Sequence, residues 1–158
     1  MKLGDKIVSL QFSATNNLKA NISDYQGQWL ILYFYPKDST PGCTTEGQDF
    51  RAAYQTLQIL NTTVLGVSRD SLQSHEKFKC AQQFPFELIS DDDEALCKYF
   101  DVIKLKNMYG KQIQGIERST FIIDTNGILK HAWRNVTVNG HVLNVIEILK
   151  ELQSNQRF

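Results

Sequence analysis

Two apolar runs most constrain what this chain can fold into. The first is WLILYFY, residues 29–35, and the second is TVLGVS, residues 63–68. Runs that are apolar throughout fit strands buried on both faces of a sheet. Between them, four residues recur at the spacing of one helix face: Phe50, Ala53, Tyr54 and Leu57. The order strand, helix, strand predicts a right-handed βαβ unit.

The remaining segments supply strands and helices around this unit. Strands are predicted at residues 6–12, 18–22 and 86–90, a hairpin at 118–133, and helices at 70–84, 90–100 and 142–152. Asp70 or Ser71 would cap the first of these helices, and Ser90 or Asp91 the second. Asn126-Gly127 is a strong signal for a two-residue hairpin turn. This α/β order resembles the thioredoxin fold, a central mixed sheet flanked by helices, with extra N-terminal strands. Fold likeness alone says little about chemistry.

Length and composition predict one globular domain over residues 1–158. Lys plus Arg equals Asp plus Glu at 17 each, and no basic stripe is present, so no nucleic-acid partner is expected. No apolar stretch reaches the ~20 residues of a membrane helix. The N-terminal residues alternate apolar and polar and do not resemble a signal peptide. We therefore expect a cytoplasmic protein without membrane contact.

The chain has three cysteines: Cys43, Cys80 and Cys97. An odd number without a secretion signal does not indicate a structural disulfide framework. No pair has C-x-x-C spacing, which weakens the interpretation as a zinc site or a thioredoxin-type dithiol. The histidines have no metal-ligand spacing, so we assign no role to His75, His131 or His141 and expect no metal.

Cys43 follows Pro41-Gly42 and is expected in the first turn of a helix. Backbone N–H groups there are unpaired and the helix macrodipole is positive, so the nucleophilic thiolate form is favoured. Thr40 can bring a hydroxyl next to the sulfur, and Pro36 can shield the sulfur from bulk water. Cys43 is therefore the candidate nucleophile.

Arg118 is the best candidate for a fixed cation beside this thiol. It begins the predicted strand RSTFIID, which should lie close to the start of the helix. Glu46, one turn along from Cys43, could hold the guanidinium by a bidentate pair. Alternatively, Glu46 is only an acid that complements the helix dipole.

These residues also carry a family resemblance. Pro36, Thr40 and Cys43 match the P-x-x-x-T-x-x-C signature of peroxiredoxins. PGCTTEG, which includes Gly42, followed by the distant RSTFIID resembles the bacterioferritin comigratory protein, or peroxiredoxin Q, subfamily. The resemblance extends over nearly the whole chain. It implies a thiol peroxidase on a thioredoxin fold, with Pro36, Thr40, Cys43 and Arg118 forming the peroxide site and no metal or organic cofactor.

The implied reaction explains these residue types. The thiolate attacks one peroxide oxygen, and negative charge moves across both oxygens. The Cys43 N–H, the Thr40 hydroxyl and Arg118 are suitable donors along that path. The product, a Cys43 sulfenic acid, must then be reduced or it oxidises further.

Many members of the subfamily carry a resolving cysteine five residues after the peroxidatic one, where this chain has Gln48. Other members place it in the next helix, so Cys80 is the candidate. A disulfide needs Cα atoms about 4.4–6.8 Å apart, so we expect local unwinding around Cys43 and Cys80. Thioredoxin or a similar dithiol would recycle the enzyme. An intrachain disulfide needs no second subunit, which favours a monomer, and Cys97 is expected to be a buried apolar residue.

Three alternatives stay open at this point. In the first, the enzyme uses one cysteine and an external thiol, and Cys80 is incidental. In the second, the chain is a thioredoxin-like disulfide oxidoreductase, which Glu46 opposes because it stands where C-x-x-C needs its second thiol. In the third, Cys43 is the switch of a non-enzymatic redox sensor or chaperone. The acidic residues 91–94 are expected to be a solvated helix start.

Overall fold

The computed structural model describes residues 1–156. Within them the strands are β1 (Gln11–Ala14), β2 (Lys19–Asn21), β3 (Trp29–Phe34), β4 (Thr62–Ser68), β5 (Leu88–Ser90), β6 (Ile103–Met108), β7 (Lys111–Ile116), β8 (Ser119–Ile123) and β9 (Leu129–Trp133). The α-helices are α1 (Pro41–Ala52), α2 (Tyr54–Ile59), α3 (Leu72–Gln82), α4 (Ala95–Tyr99) and α5 (His141–Asn155). None of the helices in this range is long and apolar enough to cross a membrane.

Seven strands form one mixed sheet in the order β2-β1-β5-β4-β3-β8-β9. Strands β3, β4 and β5 are parallel neighbours, whereas β8 pairs antiparallel with β3. The predicted βαβ unit is confirmed, because β3 and β4 pair in parallel and α1 and α2 connect them. The expected α/β arrangement of a central mixed sheet with flanking helices is therefore present.

Strand β3 is the centre of the core. All of its residues are buried, and its side chains alternate between two apolar clusters. Leu30, Leu32 and Phe34 face the cluster that includes α4 and the N-terminal strands. Ile31 and Tyr33 face the cluster that includes α1, α3 and α5. The sheet thereby fixes α1 against its second face.

The N-terminal strands differ from the prediction. The first strand is β1, at Gln11–Ala14 rather than residues 6–12, and Lys6 makes only an isolated bridge to Ile128. The amide of Ile7 instead donates to the Gly127 carbonyl at 2.8 Å. The apolar alternation of this segment therefore reflects its packing against the β8–β9 turn and not a ladder with β2.

The single helix predicted after Cys43 is divided at Ala53 into α1 and α2. The Ala53 N–H is shared between the carbonyl groups of Asp49 and Phe50, at 3.1 and 3.2 Å. The apolar spacing continues across this tighter turn, so periodicity did not reveal it. The next helix, α3, is capped by Ser71, whose hydroxyl accepts the Ser74 N–H at 3.1 Å, as one of the two predicted caps.

The acidic stretch before α4 is not simply a solvated helix start. The helix begins only at Ala95, and its N-cap is Glu94 rather than Ser90 or Asp91. Asp91 is buried, and its carboxylate accepts the N–H groups of Leu96 and Cys97 at 3.0 and 2.7 Å. Its charge is thus used to satisfy the free amides of the helix.

Two hairpins also differ from the prediction. Strands β6 and β7, which the sequence analysis did not predict, pair outside the main sheet. Most residues of these two strands are exposed or half-buried, so their sequence lacks the apolar run that marks a buried strand. In the β8–β9 hairpin, the backbone N–H of Asp124 donates to the Ile128 carbonyl. Gly127 takes the left-handed conformation with φ 79°. That closure is longer than the expected two-residue turn.

Close packing of α1 depends on a glycine. A Cβ atom on Gly47 would overlap the buried ring of Phe84. Alanine normally stabilises a helix interior by about 0.5–1 kcal/mol relative to glycine. Here we expect Gly47→Ala to lower the free energy of unfolding by about 1–3 kcal/mol, because the ring must move. Urea unfolding followed by circular dichroism measures this.

The exposed neighbour Thr45 provides the control on the same helix. Thr45→Ala should change the free energy of unfolding by at most about 0.5 kcal/mol. A Gly47→Ala protein as stable as the wild type would show that the ring at Phe84 does not constrain α1.

Candidate active site

The start of α1 presents Cys43 at the positive end of a helix. Thr40 is the N-cap in extended conformation, and Pro41 takes the first helical position, which suits a residue without an N–H. The first bond of the helix joins the Thr44 N–H to the Thr40 carbonyl at 2.9 Å. The Cys43 N–H precedes it and has no partner within the helix. This amide and the macrodipole both favour negative charge at the thiol.

Arg118 reaches this thiol from the start of β8. Its Nη2 donates to Cys43 Sγ at 3.3 Å, and its Nη1 donates to Glu46 Oε1 at 2.7 Å. The side chain of Arg118 is 15% exposed and that of Glu46 is fully buried. The structure therefore brings together three of the residues named from the sequence, with one planar cation bridging a thiol and a carboxylate.

Glu46 is an unusual buried acid. Its Oε1 is paired with Arg118, whereas Oε2 has no hydrogen-bond partner within residues 1–156. Burial raises the pKa of Glu46 to about 7, although Arg118 acts in the opposite direction. Its protonated form is therefore more accessible near neutral pH than that of a carboxyl group in water.

Gly42 shapes the same contact. A Cβ atom at this position would lie 3.2 Å from Nη2 of Arg118 and 4.0 Å from Cγ2 of Val138. The guanidinium thus packs directly against the backbone of the first helical turn. A larger residue would displace the group that donates to the sulfur.

Thr40 and Pro36 lie in the loop between β3 and α1. The Thr40 hydroxyl donates its proton to the Lys37 carbonyl at 2.8 Å, so its lone pairs are the part left for a ligand. This differs from the expected use of Thr40 as a donor. Pro36 is half-buried and follows Tyr35 directly after the end of β3.

The three thiols differ strongly in environment, and all are free. Cys43 is 2% exposed, whereas Cys80 is exposed on α3. Two hydrogen bonds link α1 to α3. Gln48 Nε2 donates to Gln82 Oε1 and Arg51 Nη1 donates to the Gln82 carbonyl, both at 2.8 Å. The structure thus places Cys80 near the packed end of α3 but not at the buried sulfur.

Cys97 lies fully buried on α4, as predicted. Burial raises the pKa of its thiol, and the neighbouring Asp91 carboxylate raises it further. A thiol held neutral and out of solvent is a poor nucleophile.

Comparison with known proteins identifies the family. The AhpC/TSA family model matches residues 3–132. The chain belongs to this family. Peroxiredoxin Bcp of Xanthomonas campestris is 52% identical over 141 residues, which cover 89% of this chain and 88% of that protein. Peroxiredoxin Bcp of Bacillus subtilis is 44% identical over 152 residues, which cover 96% of this chain and 97% of that protein.

Solved structures agree with this assignment. A cysteine-to-serine mutant of X. campestris peroxiredoxin Q matches with a TM-score of 0.87 and 52% identity, covering 90% of each chain. A PrxQ mutant of Xylella fastidiosa matches with a TM-score of 0.93 and 46% identity, covering 97% of this chain and 98% of that one. The chain is a peroxiredoxin, a thiol peroxidase, and the predicted thioredoxin-like fold is confirmed.

The sequence analysis missed a second polar cluster in this peroxiredoxin. His75, to which it assigned no role, is fully buried on α3, and its Nδ1 lies 2.7 Å from Asp38 Oδ2. Asp38 itself stands between Pro36 and Thr40 in the loop between β3 and α1, which we call the active-site loop because it leads to the candidate site at Cys43. The available signal was helical spacing, because His75 shares the buried face of α3 with Phe78.

The raised pKa of Glu46 predicts a pH-dependent contribution to stability. Folding favours its protonated form, so this contribution is complete below pH about 4.5 and is lost as pH rises to about 7. Glu46→Gln is uncharged throughout. The wild-type free energy of unfolding should therefore fall relative to that of the variant by about 2–3 kcal/mol across this window. Urea unfolding at a series of pH values measures the difference.

Glu147→Gln removes an exposed carboxylate on α5 and is the matched control, with no comparable change expected. A constant difference between wild type and Glu46→Gln over the whole window would mean that Glu46 stays in one protonation state.

Proposed function

We propose that this peroxiredoxin reduces hydrogen peroxide and organic hydroperoxides with Cys43 as the peroxidatic residue. The observation that carries the proposal is the Arg118 guanidinium, which contacts Sγ at the start of α1 while Glu46 fixes it. The X. campestris bacterioferritin comigratory protein is 48% identical and covers 93% of this chain. It has been solved as a trapped intermediate and ligand complex that bears on its alkyl peroxide reduction activity.

The geometry supports a direct displacement. The Cys43 thiolate attacks one peroxide oxygen, an S–O bond forms, and the O–O bond breaks. The leaving alkoxide or hydroxide takes up a proton and departs as alcohol or water, and Cys43 becomes a sulfenic acid. Arg118 and the Cys43 N–H lie where negative charge spreads from sulfur to oxygen, and they stabilise the transition state more than the thiolate.

Thr40 would act on the peroxide as an acceptor. Its own proton is engaged by the Lys37 carbonyl, so a lone pair can receive the O–H of a hydroperoxide. This contact would orient the peroxide with its hydroxyl oxygen towards the sulfur. Pro36, half-buried in the same loop, would limit access of water to the thiolate.

For the second half-reaction we propose Cys80 as the resolving residue. Its thiolate would attack the Cys43 sulfenic sulfur, so that a disulfide forms and hydroxide leaves as water. X. campestris peroxiredoxin Q has been solved as two mutants, each with a different cysteine replaced by serine. Thioredoxin or a similar dithiol would reduce this disulfide, and the intrachain pair would allow the protein to act as a monomer.

The structure offers little support for a disulfide oxidoreductase of the thioredoxin type. Its second thiol would have to stand at position 46, where buried Glu46 instead pairs with Arg118. The match to peroxiredoxins, which are thiol peroxidases, opposes the non-enzymatic redox sensor or chaperone. Among peroxidases, the alternative is a one-cysteine enzyme that an external thiol reduces. The fate of the oxidised Cys43 distinguishes it from the proposed enzyme.

Treatment of the reduced protein with one equivalent of hydrogen peroxide tests the proposal. We expect the intact mass to fall by two hydrogen atoms, and non-reducing peptide mapping should find a Cys43–Cys80 crosslink. In Cys80→Ser the mass should instead rise by one oxygen on Cys43, because the sulfenic acid forms but is not resolved.

Cys97→Ser is the control and should behave as the wild type. Cys43→Ser should show neither product and no peroxide turnover. An oxygen on wild-type Cys43 without a crosslink would establish a one-cysteine enzyme. No reaction of the wild-type protein would refute the assignment of Cys43.

The burial difference between the two thiols predicts local unwinding. Because Cys43 is buried and Cys80 is exposed on another helix, the disulfide requires the first turn of α1 and the last turns of α3 to open. Hydrogen exchange should therefore become faster in both segments after oxidation, while the amides of β3 and β4 keep their protection. Unchanged exchange in α1 and α3 of a crosslinked protein would contradict this.

A further inference from the structure

A hydrogen-bond network lies behind the active-site loop. Asp38 is buried, and its Oδ1 accepts the Tyr35 hydroxyl at 2.7 Å. Its Oδ2 contacts Ser74 Oγ at 2.8 Å and His75 Nδ1 at 2.7 Å. The other ring nitrogen, Nε2, donates to the Ile89 carbonyl at 2.8 Å. The side chain of Asp38 is thus anchored both to Tyr35, just after β3, and to α3.

Asp70 binds the backbone of Asp38. Asp38, Asp70 and His75 offer ligand atoms within 4.8 Å of one another, an arrangement that could hold a metal. However, Asp70 Oδ2 already accepts Ser68 Oγ at 2.6 Å and the Asp38 N–H at 3.0 Å. Hydrogen bonds within the protein therefore already engage Asp70 Oδ2, both carboxylate oxygens of Asp38 and both ring nitrogens of His75.

The peptide group between Lys37 and Asp38 connects this network to the peroxide site. Its N–H donates to Asp70 Oδ2, and its carbonyl accepts the Thr40 hydroxyl at 2.8 Å. Because a peptide group is planar, fixing its N–H also fixes the direction of its carbonyl. Hydrogen bonds in such a chain also polarise and strengthen one another.

The direction of the Thr40 hydroxyl matters because it has one proton and two lone pairs. When the Thr40 hydroxyl donates its hydrogen bond to the Lys37 carbonyl, a lone pair of the hydroxyl oxygen is free to accept the O–H of a hydroperoxide. If the peptide group rotated, the hydroxyl would lose this acceptor. Its proton could then turn elsewhere, and the oxygen would no longer be oriented to receive the substrate.

We propose that Asp70 is a positioning residue for the peroxide reaction, which fixes the Lys37–Asp38 peptide group and through it the Thr40 hydroxyl. This inference rests on the role proposed above for Thr40. It assigns a part in the chemistry to a carboxylate on the β4–α3 connection, behind the loop that holds the substrate.

The rate of Cys43 oxidation tests the proposal in a Cys80→Ser background, where the reaction stops at one turnover. Rapid quenching and intact-protein mass give the second-order rate constant with hydrogen peroxide. We expect Asp70→Ala to lower it about tenfold, a loss of about 1.4 kcal/mol of transition-state stabilisation. Asp70→Asn should restore most of the rate, because its amide oxygen can accept the same two hydrogen bonds.

Alkylation by iodoacetamide separates orientation from collapse of the site. This reagent requires the thiolate of Cys43 but no hydrogen bond to Thr40. The rate of alkylation in Asp70→Ala should therefore stay within about twofold of the rate before this substitution. A twofold change corresponds to less than about 0.5 kcal/mol. An equal loss in both reactions would show that Asp70 only maintains the fold of the loop, and would overturn the proposal.

A double-mutant cycle gives the sharpest test. If Asp70 acts through Thr40, then Asp70→Ala should have almost no further effect in a Thr40→Val background. Independent, additive losses would contradict the proposal. Asp92→Ala removes an exposed acid and controls for the change in charge, with no effect expected.

The outcomes also separate this inference from the proposed function. If the protein with intact Asp70 and Thr40 fails to react with peroxide, the function of Cys43 is wrong. If it reacts and Asp70→Ala reacts equally fast, only the role of Asp70 is wrong. If Thr40→Val alone has no effect, the role of Thr40 fails and the inference fails with it.

Discussion

The candidate active site depends on one largely buried cation that is shared by two partners. Arg118 donates from one nitrogen to Glu46 and from the other to Cys43. Removing a guanidinium from water is costly unless charged or polar groups surround it, so Glu46 is needed to keep Arg118 in place. Burial nevertheless raises the pKa of Glu46 to about 7. When the Glu46 carboxyl group is protonated, it no longer neutralises Arg118, and the positive charge of the guanidinium then acts mainly on the Cys43 sulfur.

The sheet explains how residues so distant in sequence meet. Strand β8 pairs antiparallel with β3, with Ser119 opposite Phe34. Arg118, just before β8, is therefore brought beside the end of β3, where the loop to α1 begins. Gly42 then allows the guanidinium to lie against the first helical turn. Each element contributes one part of the site, and the register of two strands sets the distance between them.

The sequence predicted those parts that leave a local or periodic signal. The buried strands, the position of Cys43 in the first turn of α1 and the burial of Cys97 follow from apolar runs, the Pro-Gly pair and spacing. Asp91 and His75 were misjudged because their burial depends on partners from other segments, namely the amides of α4 and the side chain of Asp38. A polar residue satisfied in this way looks the same in sequence as a solvated one.

The two ends of α3 are held in different ways, and this matters for how the helix could open. Its N-terminal turn is tied to the active-site loop through His75 and Asp38, both buried and closed by further hydrogen bonds. Its C-terminal turn, near Cys80, is tied to α1 through hydrogen bonds of Gln82 that are exposed to water. Exposed bonds of this kind contribute little net stability, because water can replace the partner. Opening should therefore start at the C-terminal end of α3, which would release Cys80 while the anchor at Asp38 keeps the loop of Thr40 in place.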